Sequence, residues 1–316
     1  MAGFSPPDFP EVGEEALRGI SRRHDLEAVA SAPLPEAGIF NRIYPLGDDL
    51  VLRVPRDHPA FVAAARKESV AVPAARTAGV RTPAMVAFDD ARDLLPVPYS
   101  IYERVSGETL GLLDLDPAQA PDAWRDLGRD LARLHSGVSE EGPAAGLELE
   151  AMPDPRPWPD ELSAEGYFTS AEARWFSEWL DRLAPAALAP ADGRFLHGDT
   201  QATNVMVEAG SLQYLAVIDW GGSGWGDPAW DFAGVPLRVV PFMLEGYREV
   251  AQPDGEETVE ARILWRHLQL GLYLLRRGPQ PGRSWAERPF GMLLDVMRFL
   301  MDDPGRRWSR WTPPAT

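Results

Sequence analysis

Between Phe195 and Asp231 the chain reads FLHGDTQATNVMVEAGSLQYLAVIDWGGSGWGDPAWD. A carboxylate, Asp199, and a carboxamide, Asn204, stand five residues apart in a polar loop, and a second carboxylate, Asp219, ends an apolar run that begins at Tyr214. Oxygen-only ligands of this kind suit a hard cation such as magnesium rather than zinc. Phosphoryl transfer asks for the same parts: a carboxylate that orients an attacking hydroxyl and accepts its proton, and ligands for a metal that bridges nucleotide phosphates. In that chemistry Asp199 is the base, and Asn204 and Asp219 hold the metal. The plainer reading is turn-building, which Asp and Asn do in many loops. It covers each residue singly, but poorly covers three converging groups followed by Asp227 and Asp231.

For these groups to meet, the backbone must carry them to one place. Phe195-Leu196 and Val205-Met206-Val207 are short apolar runs that bracket the loop His197 to Asn204. Glu208 to Ser211 reads as a hairpin turn that folds Val205-Val207 back on Leu212-Val217. This pairing sets Asn204, at one strand end, beside Asp219 at the other, with Asp199 hanging from the same loop.

His197-Gly198-Asp199 with Asn204, then Ile218-Asp219-Trp220, then Gly226-Asp227-Pro228 and Asp231, resembles the signature of the aminoglycoside phosphotransferase and choline kinase family. Four elements agree in spacing, which makes the match specific. The resemblance implies an α+β, two-lobed, protein-kinase-like fold. Residues 1–105 would form a small nucleotide-binding lobe with an antiparallel sheet and one helix, and 106–316 a mostly helical lobe holding the catalytic loop and the acceptor pocket. It implies ATP or GTP as donor, Mg2+ as the bridging ion, and a small-molecule hydroxyl as acceptor. His197 is expected to support the loop or a carbonyl near the metal Asp. Asp231, at the start of an apolar helix, is expected to cap it and to accept from backbone N–H groups of the loop.

Bulk properties set the frame. A chain of 316 residues with 45% hydrophobic content and eleven Trp can bury a sizeable core. No cysteine is present, which excludes disulfides and thiolate metal sites. The first thirty residues lack an apolar run and no later segment has eighteen, so no signal peptide or membrane anchor is expected and a cytoplasmic protein is the default. A net charge of −17 argues against nucleic acid as a partner. Lys67 is the one lysine against thirty arginines, the usage of a GC-rich genome.

Helices are expected at Glu14–Arg23, with a second short segment at Asp25–Ala32, and at Pro59–Ala78. Glu36 to Ile43 reads as a loop whose backbone, near Asn41, lies over phosphates or simply turns a hairpin. In Leu50-Val51-Leu52-Arg53-Val54, alternation sends Leu50, Leu52 and Val54 into a core and leaves Arg53 on the other face. Glu68 on the following helix is its best partner. In kinase-like folds a strand cation, usually Lys, pairs with a helix carboxylate and reaches the phosphates; Arg53 takes that position here, with Lys67 a rival only if the register slips. Tyr99 to Gly107 reads as a strand and a break, and the resemblance places the backbone near Glu103 and Val105 against the nucleotide base.

Trp124, Leu127, Leu131 and Leu134 form one stripe of a helix starting near Pro121 or Asp122, and His135 at its end is read as structural. Residues 139–169 read either as an acceptor rim or as a surface connection. Ser170 to Leu183 is a helix capped by Ser170 and expected behind the catalytic loop. Val259–Arg277 and Trp285–Met301 are further helices, and Asp295 or Asp302 on or near them either receives a cation or faces solvent. The leading function is phosphorylation of an antibiotic: an aminoglycoside, a macrolide or a nucleoside antibiotic. A metabolic kinase for choline, homoserine or a sugar is the alternative, and an inactive kinase-like binding protein or a metal-dependent hydrolase are readings from other classes.

Overall fold

The computed structural model describes residues 7–27, 32–34, 40–113, 115–190, 192–276, 290–302 and 305–313. Helix α1 (Glu14–Arg23) carries two acids in its first turn and two arginines in its last, complementing the helix dipole, and buries Leu17 and Ile20. Strands β1 (Asn41–Leu46) and β2 (Leu50–Pro55) pair as a hairpin turned at Gly47. Helix α2 (Pro59–Thr77) follows, then β3 (Met85–Asp89) and β4 (Tyr99–Glu103). The four strands make one antiparallel sheet in the order β1-β2-β4-β3.

Asn41 is a correction to the sequence reading: it begins strand β1 opposite Pro55 and is not in a loop. The strand contains Pro45, which is accommodated because β1 lies at the sheet edge, where a missing N–H costs little. The rest of the expected phosphate loop, residues 36–39, and residues 28–31 of the second N-terminal segment lie outside the described residues.

Beyond β4 come β5 (Glu108–Thr109), α3 (Pro121–Gly137), α4 (Trp158–Ala164), α5 (Ser170–Ala187), β6 (Arg194–Leu196), β7 (Val205–Val207), β8 (Tyr214–Val217), β9 (Gly224–Gly226), α6 (Val240–Val250), α7 (Val259–Leu275), α8 (Gly291–Met301) and α9 (Arg306–Ser309). The four stripe residues of α3, Trp124, Leu127, Leu131 and Leu134, are all buried. Helices α3 and α6 meet at backbone distance: a Cβ added to Gly128 would lie 2.0 Å from the Met243 carbonyl, and one on Gly246 would lie 1.9 Å from that of Arg125. Helix α5 is capped by Thr169, one residue before the expected Ser170. Its hydroxyl accepts from Glu172 N–H while the Glu172 carboxylate accepts from Thr169 N–H, a reciprocal pair that needs this three-residue spacing. The helix packs chiefly on α4 and α7. Residues 285–289 of the last expected long helix lie outside the described residues, and α8 begins at Gly291.

Two apolar cores result. The smaller joins α1 to the sheet through Ile20, Leu52, Val54 and Ile101; the larger fills the helical part. Helix α2 serves both, giving Val62 to the first and Ala71, Val72 and Ala75 to the second. Glu68 lies between them on the same helix, so it is placed where the cores meet. Among the described residues no helix is long and apolar enough to cross a membrane.

Leu127 is fully buried in the larger core. Leu127→Ala should therefore lower unfolding stability by about 2–5 kcal/mol, read as a reduced urea midpoint at unchanged slope.

Candidate active site

The polar loop is suspended between two small sheets. Strand β6 before it pairs with β9, and β7 after it pairs with β8 on one side and β5 on the other. The turn between β7 and β8 contains Gly210 at φ 87° and Leu212 at φ 59°. Val205 sits opposite Val217, and the Ile218 N–H donates to the Asn204 carbonyl at 2.9 Å, so the start of one strand and the end of the other are locked side by side.

The loop is pinned from below by Asp231, which is completely buried. Its carboxylate accepts the His197 N–H at 2.9 Å, the Gly198 N–H at 2.8 Å and His135 Nε2–H at 2.9 Å, while Thr200 Oγ1 donates to its carbonyl. The Tyr247 hydroxyl lies 3.2 Å from the other His135 ring nitrogen. Asp231 does not cap the turn in which it lies. That cap is Asp227, which accepts the Ala229 N–H at 2.9 Å and pairs with Arg262 and Arg266. The capping expectation failed because the segment Pro228–Phe232 is a short 3₁₀ turn starting three residues earlier than Asp231.

His197 is buried beside Trp220, with ring centroids 4.5 Å apart. Its Nδ1 accepts from the Asp199 N–H at 3.2 Å, which leaves the ring proton on Nε2 to donate to the Ile218 carbonyl at 3.0 Å. Burial lowers its pKa and keeps it neutral. Gly198 has φ 81°, and a Cβ there would lie 2.1 Å from the Gly222 carbonyl, so no other residue fits between the loop and the Asp219 turn.

Asp199 Oδ2 accepts two amides, Gln201 Nε2 at 3.0 Å and Asn204 Nδ2 at 3.1 Å, and the Asn204 amide also reaches the Asp199 carbonyl at 2.8 Å. Burial, with the nearby Asp219 charge, pushes the Asp199 carboxyl up to about 6. Asn204 turns its nitrogen toward Asp199, which directs its oxygen the other way. Asp219 has a left-handed backbone, φ 69° and ψ 74°, a conformation that Asp tolerates better than most residues. Its side chain remains 34% exposed. Burial pushes its carboxyl up, but the Arg53 guanidinium outweighs this and holds it below its ordinary value.

Arg53 projects from β2 on the face opposite Leu52 and Val54. Nη1 meets Glu68 Oε2 at 2.8 Å and Nη2 meets Asp219 Oδ1 at 3.0 Å. Glu68 also accepts the Tyr102 hydroxyl at 2.5 Å. Lys67 points elsewhere and donates to the Glu148 carbonyl at 2.7 Å. The Glu103 carboxylate is occupied by the Ala84 N–H at 3.0 Å, and the Val105 carbonyl accepts from Gly107 N–H at 3.1 Å.

Sequence reasoning missed three participants: Gln201, His135 as the third donor to Asp231, and Trp230, whose indole N–H donates to the Gly198 carbonyl at 3.0 Å. Only Gln201, two residues past Asp199, had a local signal. The other two reach the loop from distant segments. Asn204 and Asp219, the expected cation ligands, lie at the adjacent ends of β7 and β8. Among the described residues no three His, Asp or Glu side chains gather as a metal set.

Helix α7 secures the Asp231 turn through His267, whose Nε2–H donates to the Phe232 carbonyl at 2.8 Å. Burial pushes this imidazole down to about 4 from its ordinary 6.5. The unfolded chain then binds the proton first, so the contribution is complete above pH 6.5 and is lost as pH falls toward 4. At pH 5 the loss is about 2 kcal/mol. His267→Gln, which keeps a donor but cannot titrate, should flatten the fall in unfolding stability between pH 7 and pH 5.

A model of the phosphotransferase enzyme family matches residues 32–261. Among solved structures, the GDP complex of wild-type aminoglycoside 2'-phosphotransferase-IIIa aligns with a TM-score of 0.60 at 16% identity, covering 92% of this chain and 99% of that one. The macrolide 2'-phosphotransferase of Brachybacterium faecium aligns at 0.54 and 22% identity over 83% and 92%. A choline/ethanolamine kinase family protein from Mesorhizobium loti aligns at 0.51 and 17% over 89% and 87%. Such low identities speak for the fold, which is α+β and kinase-like. The family match spans most of the chain, including the loop, the Asp219 turn and the Asp231 anchor, and this protein belongs to the phosphotransferase enzyme family.

Proposed function

We propose that this enzyme transfers the γ-phosphoryl group of ATP or GTP to a hydroxyl of a small-molecule antibiotic, an aminoglycoside, a macrolide or a nucleoside antibiotic, and so inactivates it. The observation that carries the reading is the setting of Asp199. Two amides hold one carboxylate oxygen, the other is left to a substrate, and the pKa is pushed up to about 6. Such a carboxylate is still mostly ionised at pH 7 and is a stronger base than an exposed Asp.

In the proposed reaction the acceptor oxygen bonds to the γ-phosphorus as the bond to the β–γ bridging oxygen breaks. The hydroxyl proton passes to Asp199 and then to solvent, and the nucleoside diphosphate leaves with the electron pair. Arg53, oriented by Glu68, supplies the cation for the triphosphate, and the backbone around Glu103 and Val105 faces the base. Asn204 and Asp219 would hold Mg2+, a fit supported by their oxygen donors and by the partial exposure of the Asp219 side chain. Bound there, the ion neutralises charge on the phosphates. His197 and Asp231 keep the loop in register.

Structural neighbours solved with nucleotide and with an aminoglycoside, the GDP and kanamycin complex of one phosphotransferase and the streptomycin-ATP complex of another, support the donor and the acceptor class. A metabolic acceptor such as choline, homoserine or a sugar is the second reading, in keeping with the choline/ethanolamine kinase family neighbour. Nucleoside diphosphate release, measured with each acceptor class and with none, separates these readings from each other and from simple hydrolysis.

Asp199→Asn should lower kcat by about 10²- to 10⁴-fold while nucleotide affinity is kept; near-normal turnover would remove Asp199 from the role of base. Asp219→Ala should abolish the Mg2+-dependent part of nucleotide binding, as read by calorimetry with and without the ion.

A further inference from the structure

Arg53 holds more than one partner. Its side chain is 15% exposed, and the guanidinium spans Glu68 and Asp219, two carboxylates on separate parts of the chain. The spacing is rigid. Asp219 is fixed by its left-handed backbone, and the turn behind it presses on α2, where a Cβ on Gly221 would come within 2.9 Å of the Ala64 side chain. A planar guanidinium fork reaches both acids at once, whereas a lysine ammonium is a single point charge. The guanidinium therefore holds Oδ1 of Asp219, the carboxylate assigned above to the divalent cation.

A cation arriving alone must compete with Arg53 for the Asp219 charge, and drawing Asp219 away leaves a largely buried guanidinium with half of its acidic partners. Such a loss is expensive at low dielectric. A triphosphate changes the balance, because its oxygens offer the fork a new bidentate partner.

We propose that Arg53 is the counter-ion of Asp219 in the nucleotide-free protein and excludes a free divalent cation, so that the ion binds together with the triphosphate and not before it. This inference rests on Asp219 being the metal carboxylate. It makes Arg53 a residue that selects the metal–nucleotide complex over the free metal.

The test is calorimetric titration of the full chain with MnCl2 alone, and then with MnCl2 plus a non-hydrolysable ATP analogue. Arg53→Gln should bind Mn2+ alone about tenfold or more tightly than the wild type, because two carboxylates then face each other without a counter-ion. Arg53→Lys should fall between them, and Asp219→Asn in the Arg53→Gln background should remove the gain. If Arg53→Gln does not fold, as judged by near-UV circular dichroism, Arg53→Lys carries the comparison. Equal Mn2+ affinity in wild type and variant, or a gain that survives Asp219→Asn, overturns the inference. Failure of the phosphotransferase reading would appear elsewhere, as absent nucleoside diphosphate formation with every acceptor.

Discussion

The geometry of this site depends on one buried carboxylate. Asp231 has no exposed surface, and an ionised group so placed is tolerated only when hydrogen bonds replace its lost water. The donors that replace it are two consecutive backbone N–H groups of the catalytic loop and an imidazole from α3. The loop cannot leave without stranding the charge, and so a single side chain fixes the path from His197 to Asp199. The left-handed Gly198 follows from the same constraint, since the chain must turn sharply between the anchor and the Gly222 carbonyl. From there His197 extends the lattice, taking the Asp199 N–H on one nitrogen and giving the other to the residue before Asp219. Asp199 and the Asp219 turn are thus set relative to each other through a neutral ring.

A second lattice connects this one to the sheet. Arg53 on β2, Glu68 on α2 and Asp219 on the turn share one guanidinium, and Tyr102 on β4 completes the set through Glu68. Helix α2 is suited to the junction because its two ends belong to different apolar cores. Burial pushes Glu68 up to about 7 although Arg53 opposes this. That tension is expected where two acids divide one cation.

Much of this was legible in the chain because the signals were local. The β7–β8 hairpin, the α3 stripe and the gathering of Asp199, Asn204 and Asp219 follow from spacing within short windows, where turn chemistry and strand pairing leave few alternatives. Arg53 was traced to Glu68 by the same reasoning across one strand and one helix. The second partner of Arg53 was not legible, because Asp219 lies more than a hundred residues away and nothing in the local pattern announces it. His135 illustrates the same limit. Its position at the end of an apolar stripe marked it as structural, but only the packing of α3 under the loop shows that its partner is Asp231. Asn41 failed for the opposite reason: Glu36 to Ile43 reads as a loop from its Gly and Asn alone, while the pairing of Asn41 with Pro55 that makes β1 lies across the hairpin.

The near-absence of lysine has a structural consequence beyond Arg53. With arginine as almost the sole cation, many carboxylates of the helical part meet planar forks. Asp227 is claimed by Arg262 and Arg266, Asp254 by Arg194, and Glu260 by Arg248 and Arg307. Asp295, considered in the sequence as a receiver for a cationic acceptor, is instead taken by Arg238 and by the Leu237 N–H. The overall negative charge is therefore a poor guide to recognition, since these acids are neutralised where they are buried and the excess is left to the solvated surface. A cationic acceptor could use these carboxylates only by displacing a guanidinium, the same exchange that governs Asp219, and it would do so without the help that a triphosphate gives there.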